Sequence, residues 1–434
     1  MDEWHTISLR EANVSLIDCE HRTPPKAASG YLYIAIPQIK HGRIDIKDAR
    51  SISQEHFIEW TRKAVPQPYD VVLSRRCNPG ETAFVPPGMK FALGQNLVLL
   101  RADGTRIYPP FLRWLVRGTD WWEQIGKFIN VGAIFDSLKC ADIPNFRLRI
   151  PPLSKQHVIA HILGTLDDKI ELNRRMNETL EAMACAIFKS WFVDFDPVRA
   201  KAEGRQPSGM DSTTAALFPN SFQDSLLGEI PTGWKAAPVS EALDINPSRP
   251  LAKGTEATYL DMQNVPTRGH RPTNWITRPF VSGSRFSNGD TLVARITPCL
   301  ENGKTAFVDF LNDGEVGWGS TEFIVLRPKK PLPPEYGYCL ARDEGFRAHA
   351  IQSMTGSSGR QRVPTGSLTQ FLVAVPTESI ARCFEYAVHP LFGKIKANSE
   401  EASTLSTIRN ALLPKLISGE IRVKGVESPT APLS

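Results

Sequence analysis

Three short patterns in this chain of 434 residues resemble motifs of enzymes. The first is Tyr108 to Phe111 (YPPF), which resembles the Asp/Asn-Pro-Pro-Tyr/Phe motif of enzymes that methylate an exocyclic amine. Tyr108 stands where that motif needs an Asp or Asn to accept a hydrogen bond from the amine. The sequence also has no glycine-rich turn for S-adenosylmethionine. We therefore predict a turn that opens a helix rather than a methyl-transfer site.

The other two patterns fail at equally specific positions. Gly303-Lys304-Thr305 ends like a phosphate-binding loop, but the first glycine of that loop would be residue 298, which is a proline. His157 and His161 have the i, i+4 spacing of a zinc pair, yet the glutamate base of a metalloprotease and a third ligand are missing. The seven cysteines contain no Cys-x-x-Cys pair and indicate reduced thiols. We predict no catalytic residue, no metal site and no cofactor in this chain.

Composition sets the class of protein. The chain is 41% hydrophobic and 22% charged, as in globular proteins, and no stretch approaches the ~18 consecutive apolar residues of a membrane helix. Its beginning has no basic and apolar signal segment, so we expect a cytoplasmic protein without a membrane partner. The net charge of +5 is compatible with a polyanionic partner but does not require one.

The elements that position these residues occur twice. Segments of the first half recur in the same order in the second half, with spacings that differ by only a few residues. The matched pairs are YIAIPQI (Tyr33–Ile39) with YLDMQNV (Tyr259–Val265), DVVLSR (70–75) with DTLVAR (290–295), TAFV (82–85) with TAFV (305–308), and LVLLR (97–101) with FIVLR (323–327). We infer two homologous units, each with β-rich runs followed by a long helix.

Each long helix carries an apolar seam with four-three spacing, which is typical of a coiled coil. The predicted seam positions are Leu166, Ile170, Asn173, Asn177, Leu180 and Ile187 in the first helix, and Leu391, Ile395, Asn398, Leu405 and Leu412 in the second. Neither helix can bury its seam alone, so we predict that they pair, with Asn173 and Asn398 fixing the register. Because of Pro390 and Pro414, we expect the second helix to be the shorter.

These residues resemble the specificity subunits of type I restriction-modification systems. The resemblance is strongest at Pro151 to Met183, at LGEIPTGW (227–234) and at LPKLISGEIRV (413–423). It implies two target recognition domains that read the halves of a split target in double-stranded DNA, held apart by an antiparallel helix pair. It also implies two methyltransferase subunits and motor-nuclease restriction subunits as partners. S-adenosylmethionine, ATP and Mg would then belong only to those partner subunits.

We therefore predict an α+β fold with an internal pseudo-twofold repeat and two globular recognition domains separated by two long helices packed as an antiparallel coiled coil. The predicted segments are recognition domain 1 (1–150), helical spacer 1 (151–195), a surface linker (196–227), recognition domain 2 (228–376), helical spacer 2 (377–423) and a tail (424–434).

DNA readout needs polar and basic side chains on loops that reach base edges and phosphates. The candidates in the first unit are Lys40, Arg43, Ser74, Arg76, Asn78, Gln95 and Asn96. Those in the second unit are Arg268, Arg271, Thr297, Asn302, Lys304, Ser320, Thr321, Ser357, Ser358, Arg360, Gln361 and Arg362. The loop with Arg360 and Arg362 is the best candidate because its glycines permit close approach to a groove. For Arg75 and Arg295 we favour a structural role, in ion pairs with Asp70 and Asp290.

The predicted function is sequence-specific recognition of a bipartite, gapped DNA target, without catalysis. Two alternatives remain at this stage. The chain could be a self-contained DNA methyltransferase or nuclease with degenerate motifs, or a protein-only assembly scaffold.

Overall fold

The computed structural model describes residues 4–132, 134–357 and 359–423. They form two compact units. The first unit comprises the described residues up to Ile170 and those from Thr404 onward, and the second comprises those from Glu171 to Ser403. Each unit therefore contains one part of each long helix. The predicted tail, 424–434, lies outside the described residues.

The first unit is α+β. Its strands are β1 (His5–Ser8), β2 (Val14–Asp18), β3 (Tyr31–Ile34), β4 (Ile39–Lys40), β5 (Arg43–Ile44), β6 (Arg50–Ile52), β7 (Val71–Ser74), β8 (Thr82–Phe84), β9 (Phe91–Leu93), β10 (Leu97–Ala102) and β11 (Arg147–Ile150). Its helices are α1 (Gln54–Trp60), α2 (Pro109–Leu115), α3 (Thr119–Phe128) and the first part of α4 (Leu153–Phe192).

The second unit repeats this composition. Its strands are β12 (Phe222–Ser225), β13 (Gly228–Pro231), β14 (Lys235–Pro238), β15 (Leu243–Ile245), β16 (Glu256–Leu260), β17 (Ile276–Pro279), β18 (Ser284–Phe286), β19 (Thr291–Ala294), β20 (Thr305–Phe307), β21 (Gly317–Gly319), β22 (Phe323–Pro328) and β23 (Leu372–Val375). Its helices are α5 (Asp196–Ala202), α6 (Ser212–Leu217), α7 (Val239–Ala242), α8 (Pro334–Arg342), α9 (Glu344–Gln352), α10 (Thr365–Thr369) and the first part of α11 (Glu378–Ser418).

The strand pairing confirms the predicted duplication. The main sheet has the order β2-β10-β7-β8 in the first unit and β15-β22-β19-β20 in the second. The register is also the same. Val71 pairs with Phe84, as Thr291 pairs with Phe307 at the matching positions. Since a slip of one residue would turn every side chain to the opposite face, two identical registers indicate one fold used twice.

Matching helices follow each main sheet. Both α2 and α8 begin with proline, whose fixed φ angle and missing N–H suit the first helical turn. The next helix begins after Gly118 in the first unit and after Asp343 in the second, where the aspartate side chain accepts from the Phe346 amide. In each unit these helices cover an apolar core, which includes Trp114 and Trp121 in the first and Tyr336 and Tyr338 in the second.

The two long helices have nearly equal lengths, 40 residues for α4 and 41 for α11. Our expectation of a shorter second helix was wrong, because Pro390 and Pro414 both lie inside α11. A proline removes one helical hydrogen bond, but the flanking turns of α11 bury apolar residues such as Phe384 and Ile395. This packing holds the helix together across both prolines.

The helices pack as the seam predicted, and their contacts run antiparallel. In the second unit Asn173 on α4 donates to the main-chain oxygen of Asn398 on α11, and Asn177 donates to that of Ile395, so positions advance on one helix and recede on the other. Asn173, Asn398 and Ile395 are buried. Eight further seam residues are partly buried, namely Leu166, Ile170, Asn177, Leu180, Ile187, Leu391, Leu405 and Leu412.

The segment 196–227, which we expected to be a surface linker, contributes to the core of the second unit. It contains α5, α6 and β12, and Val198 and Phe218 are fully or nearly fully buried beside Trp191 and Trp234. Some of its apolar residues thus face inward, whereas Leu217, Leu226 and Leu227 are exposed. No helix in the described part of the chain is long and apolar enough to cross a membrane.

Candidate nucleic-acid interface

In the first unit the predicted DNA-reading residues lie on two loops and at one strand start. The β7–β8 turn exposes Arg76 and Asn78, whereas Ser74 is buried and donates from its hydroxyl to the Arg76 carbonyl. Gln95 and Asn96 precede β10 and are partly exposed. The turn therefore presents Arg76 and Asn78, and Ser74 stabilises its backbone.

The hairpin formed by β4 and β5 carries Lys40 and Arg43. Lys40 is exposed and lies 3.0 Å from Asp45. Arg43 points towards α4, where it donates to the main-chain oxygen of Asp167 and, at 2.7 Å, to its carboxylate. Arg43 thus holds this hairpin on the helix.

The second unit places its candidates in a similar way. Arg271 donates to Glu400 and to the Lys396 carbonyl of α11, so it also holds its loop on a helix. Lys304 is directed back to the Met262 carbonyl at 2.7 Å. The side chains of Arg268, Asn302 and Thr321 are exposed and make no hydrogen bond or ion pair with any described residue, whereas Ser320 is partly buried and accepts from the Glu322 amide.

The loop from Thr355 to Arg362 lies beside the β19–β20 turn. Gln361 exchanges hydrogen bonds with Thr297 in that turn. Arg362 makes a two-pronged ion pair with Glu322, whereas exposed Arg360 uses only its backbone within the described structure. Ser357 is exposed, and Ser358 lies outside the described residues. Arg360 is therefore the more available of the two arginines.

The first unit has a matching loop that the sequence did not reveal. Asn130 and Ser137 pair across it, and Ser137 also pairs with Arg76 of the β7–β8 turn. In the second unit Thr355 and Arg362 pair in the same way, and Arg362 also pairs with Ile296 of the β19–β20 turn. The two loops therefore occupy equivalent places.

These equivalent loops differ in chemistry. The first exposes apolar side chains, with Val131 83%, Ile134 81% and Phe135 56% exposed. The second exposes serine, glycine and arginine. Basic and amide residue types therefore do not mark the first loop. It is a candidate because its backbone pairing matches that of the second loop.

The expected ion pairs within the repeated DxxxxR element are absent from the described structure. Asp70 pairs instead with Arg101 of β10 at 2.7 Å, and Asp290 pairs with Arg327 of β22 and with Arg249. The reason is strand geometry. Residues 70 and 75 flank β7, and at ~3.3 Å per residue they lie roughly 16 Å apart.

Arg75 and Arg295 nevertheless have equivalent structural roles, as predicted. Arg75 donates to the Leu138 carbonyl and Arg295 to the Val363 carbonyl. Each arginine therefore fixes the end of the neighbouring loop to its turn.

The enzyme-like patterns have structural explanations. Tyr108 is the residue before α2, so its Pro-Pro sequence opens that helix as predicted. The His157 ring stacks on Tyr108 with ring centres 3.7 Å apart.

Asp18, Cys19 and His21 form the one group of possible metal ligands found among the described residues, with ligand atoms within 4.8 Å. His21 lies 3.1 Å from the Asp18 carboxylate, and Arg75 lies 3.9 Å from it. This carboxylate therefore already interacts with cationic or donor groups of the chain.

The structure is thus a duplicated α+β unit that carries unlike loops on one scaffold. Comparison with known proteins finds similar chains. Residues 19–182 match the family model of the type I restriction modification DNA specificity domain. The curated proteins similar to the chain over most of its length are specificity subunits of type I restriction enzymes.

Relatives and a solved structure cover most of the chain. It is 25% identical over 391 residues to the type I restriction enzyme HindI specificity subunit of Haemophilus influenzae, covering 76% of this chain and 81% of that protein. It is 24% identical to the MjaIX specificity subunit of Methanocaldococcus jannaschii, covering 92% and 86%. The crystal structure of the type I system S subunit from M. genitalium has the same fold, with a TM-score of 0.54, 16% identity and 96% of each chain covered.

Proposed function

We propose that this specificity subunit reads a bipartite, gapped DNA target, with one half-site for each unit. The observation that carries the proposal is the pair of equivalent loops, Asn130–Ser137 and Thr355–Arg362, which share their backbone pairing but not their side chains. Because the two units present different loop side chains on the same scaffold, we do not expect them to read the same bases. The target therefore need not be a palindrome.

The chemistry of the loops suggests what each one contacts. Arg360, with exposed Ser357 beside it, is suited to hydrogen bonds with base edges, above all the acceptors of guanine. Ile134 and Phe135 of the first unit are suited to apolar contact with thymine methyl groups. Arg76, Asn78, Arg268 and the other exposed side chains beside these loops supply further contacts with bases and phosphates.

The long helices are proposed to dock two methyltransferase subunits, with restriction subunits joining that complex. Exposed apolar residues on both helices support a protein contact there, including Leu172 (52%) and Met183 (49%) on α4 and Tyr386 (87%) on α11. S-adenosylmethionine, ATP and Mg would be bound by those partner subunits.

The test is to map modified bases in a genome that expresses the chain with its methyltransferase subunits. We expect a two-part motif with an unread gap. Arg360→Ala should relax or change one part and leave the other intact. The control is Arg205→Ala, which removes an exposed arginine paired with Glu203, outside the loops and the long helices, and should leave the motif unchanged. A single continuous motif, or equal changes in both parts, would contradict the proposal.

A further inference from the structure

The first unit contains a cluster of four arginines around one buried aspartate. Asp167 of α4 is 4% exposed. Arg43 and Arg409 lie 2.7 and 2.5 Å from its carboxylate, and Arg113 lies 3.7 Å away. The fourth arginine, Arg117, follows α2 and lies against Gly42 of the β4–β5 hairpin.

Arg117 differs from the others because none of its donors has a partner among the described residues. It makes no hydrogen bond and no ion pair there, and the charge in the cluster that acts on it most strongly is that of another cation, Arg409. Burial and the Arg409 charge lower the pKa of Arg117. Arg113 lacks hydrogen bonds with the described residues as well, and burial lowers its pKa. Partly buried guanidinium groups normally have an acceptor, because an unpaired one loses hydration without compensation.

The second unit provides an internal control. Arg342 occupies the matching position at the end of α8 and donates to the carbonyls of Thr267, Gly303 and Gly269 and to the Tyr338 hydroxyl. Glu181 of α4 lies 3.5 Å away as its counter-charge. Although burial acts to lower it, the pKa of Arg342 is raised by Tyr338 and Glu181.

The first unit has replaced both of these partners. The repeat spacing of 225 residues, which relates Asn173 to Asn398, places Arg113 at the position of Tyr338 and Ser406 at that of Glu181. Where the second unit has the acceptor hydroxyl of Tyr338, the first unit has a second cation, Arg113. Where the second unit has the acid Glu181, the first unit has the neutral residue Ser406. The same scaffold therefore supplies the arginine's anion in one unit and omits it in the other.

We propose that the four-arginine cluster of the first unit binds a phosphate group of the DNA backbone, with Arg117 as its unpaired donor. Arg117 and Arg43 are partly exposed, so an external anion can reach them. A guanidinium offers planar paired donors that suit phosphate oxygens. The same hairpin carries exposed Lys40, which pairs with Asp45, and exposed His41, so further hydrogen-bond donors lie beside the cluster. This inference rests on the proposed function, since it assigns one contact of the same DNA interface.

The test measures DNA affinity against salt concentration for the full chain assembled with its methyltransferase subunits, using a duplex with the mapped target. Arg117→Met keeps the aliphatic packing and removes the donors. We expect it to weaken binding at low salt several-fold, equally for target and unrelated duplexes, and to reduce the slope of log K against log salt by about 0.9. Arg117→Lys should retain most of that slope.

Two more variants separate a phosphate contact from a structural effect. Ser406→Glu places a carboxylate where the second unit has one, and it should reduce the slope as Arg117→Met does. Arg342→Met is the matched control, which should lower the melting temperature of the chain and leave the slope unchanged.

The outcomes are distinguishable. If Arg117→Met leaves the slope unchanged while the wild-type complex still prefers its target, the phosphate site is overturned and water satisfies Arg117. If the variant instead weakens only the association with methyltransferase subunits, an acidic group of that partner occupies the cluster and the inference is again wrong. If the wild-type complex does not distinguish target from unrelated DNA, the proposed function itself fails.

Discussion

Asn398 of α11 donates from its side-chain amide to the side-chain oxygen of Asn177 at 2.9 Å, in the middle of an otherwise apolar seam. Asn173 completes the arrangement by donating to the Asn398 carbonyl and to Glu401. Polar pairs in a coiled-coil seam are satisfied in one register only, and a slipped pairing would bury them without partners. These asparagines therefore determine how the two helices align.

Asn398→Ala should lower the free energy of unfolding by about 1–3 kcal/mol, because it leaves the Asn177 oxygen without its donor in a partly buried position. Urea denaturation followed by circular dichroism measures this change. Lys394→Ala is the control, since Lys394 is an exposed residue of the same helix whose side chain makes no hydrogen bond with the described residues. Equal losses for both variants would show that the seam contact has no special role.

Asp167→Ala should destabilise the first unit by about 3–5 kcal/mol, because its removal leaves the arginines packed together without their buried counter-charge. Asp168→Ala is matched in sequence and chemistry but affects an exposed residue, and it should change stability by less than about 0.5 kcal/mol. Thermal unfolding of both variants tests the difference. A small effect of Asp167→Ala would mean that the arginines separate into solvent when the carboxylate is removed.

Pro390→Ala should raise the free energy of unfolding by about 1–3 kcal/mol, because it restores a hydrogen bond inside α11 and removes a clash with the preceding turn. Pro390 is exposed, so no core contact is lost. Ala397→Pro at another exposed position of α11 is the converse change and should cost roughly 3 kcal/mol or more. Unchanged stability for Pro390→Ala would show that the helix has already adapted to the proline.

Binding of target DNA by the assembled complex should fall at least about 100-fold between 50 and 200 mM salt, because contacts with several phosphates release counterions. Fluorescence anisotropy with a labelled duplex measures this dependence. The free energy of unfolding of the chain, measured over the same salt range, serves as the control and should change little. Salt-insensitive binding would argue against the exposed basic side chains as the interface.

The duplicated fold could be predicted from sequence because a repeat appears twice in the same order. Matches such as TAFV at 82–85 and 305–308 correspond to equivalent strands, β8 and β20, with identical pairing. The coiled-coil seam could be predicted for a similar reason, since its spacing is local. Helix length could not, because the effect of Pro390 depends on packing by residues elsewhere on α11.

The ion pairs and the role of the first loop could not be predicted from the sequence pattern. Asp70 and Arg75 are close in sequence but lie at opposite ends of β7, whereas Arg101 comes beside Asp70 through the pairing of β7 with β10. The loop with Ile134 and Phe135 has no polar signal, so residue type alone does not mark it. Its position follows only from the contact between Ser137 and Arg76.

The core of the first unit joins distant parts of the chain. Ile159 and Leu163 of α4 pack in the same cluster as Leu416 and Ile417 near the end of α11, and Lys155 donates to the Val423 carbonyl. During synthesis, the first unit therefore cannot complete its core until α11 has been translated. A chain that lacks the end of α11 cannot bury that core, so such a truncated product exposes apolar surface and is open to proteolysis.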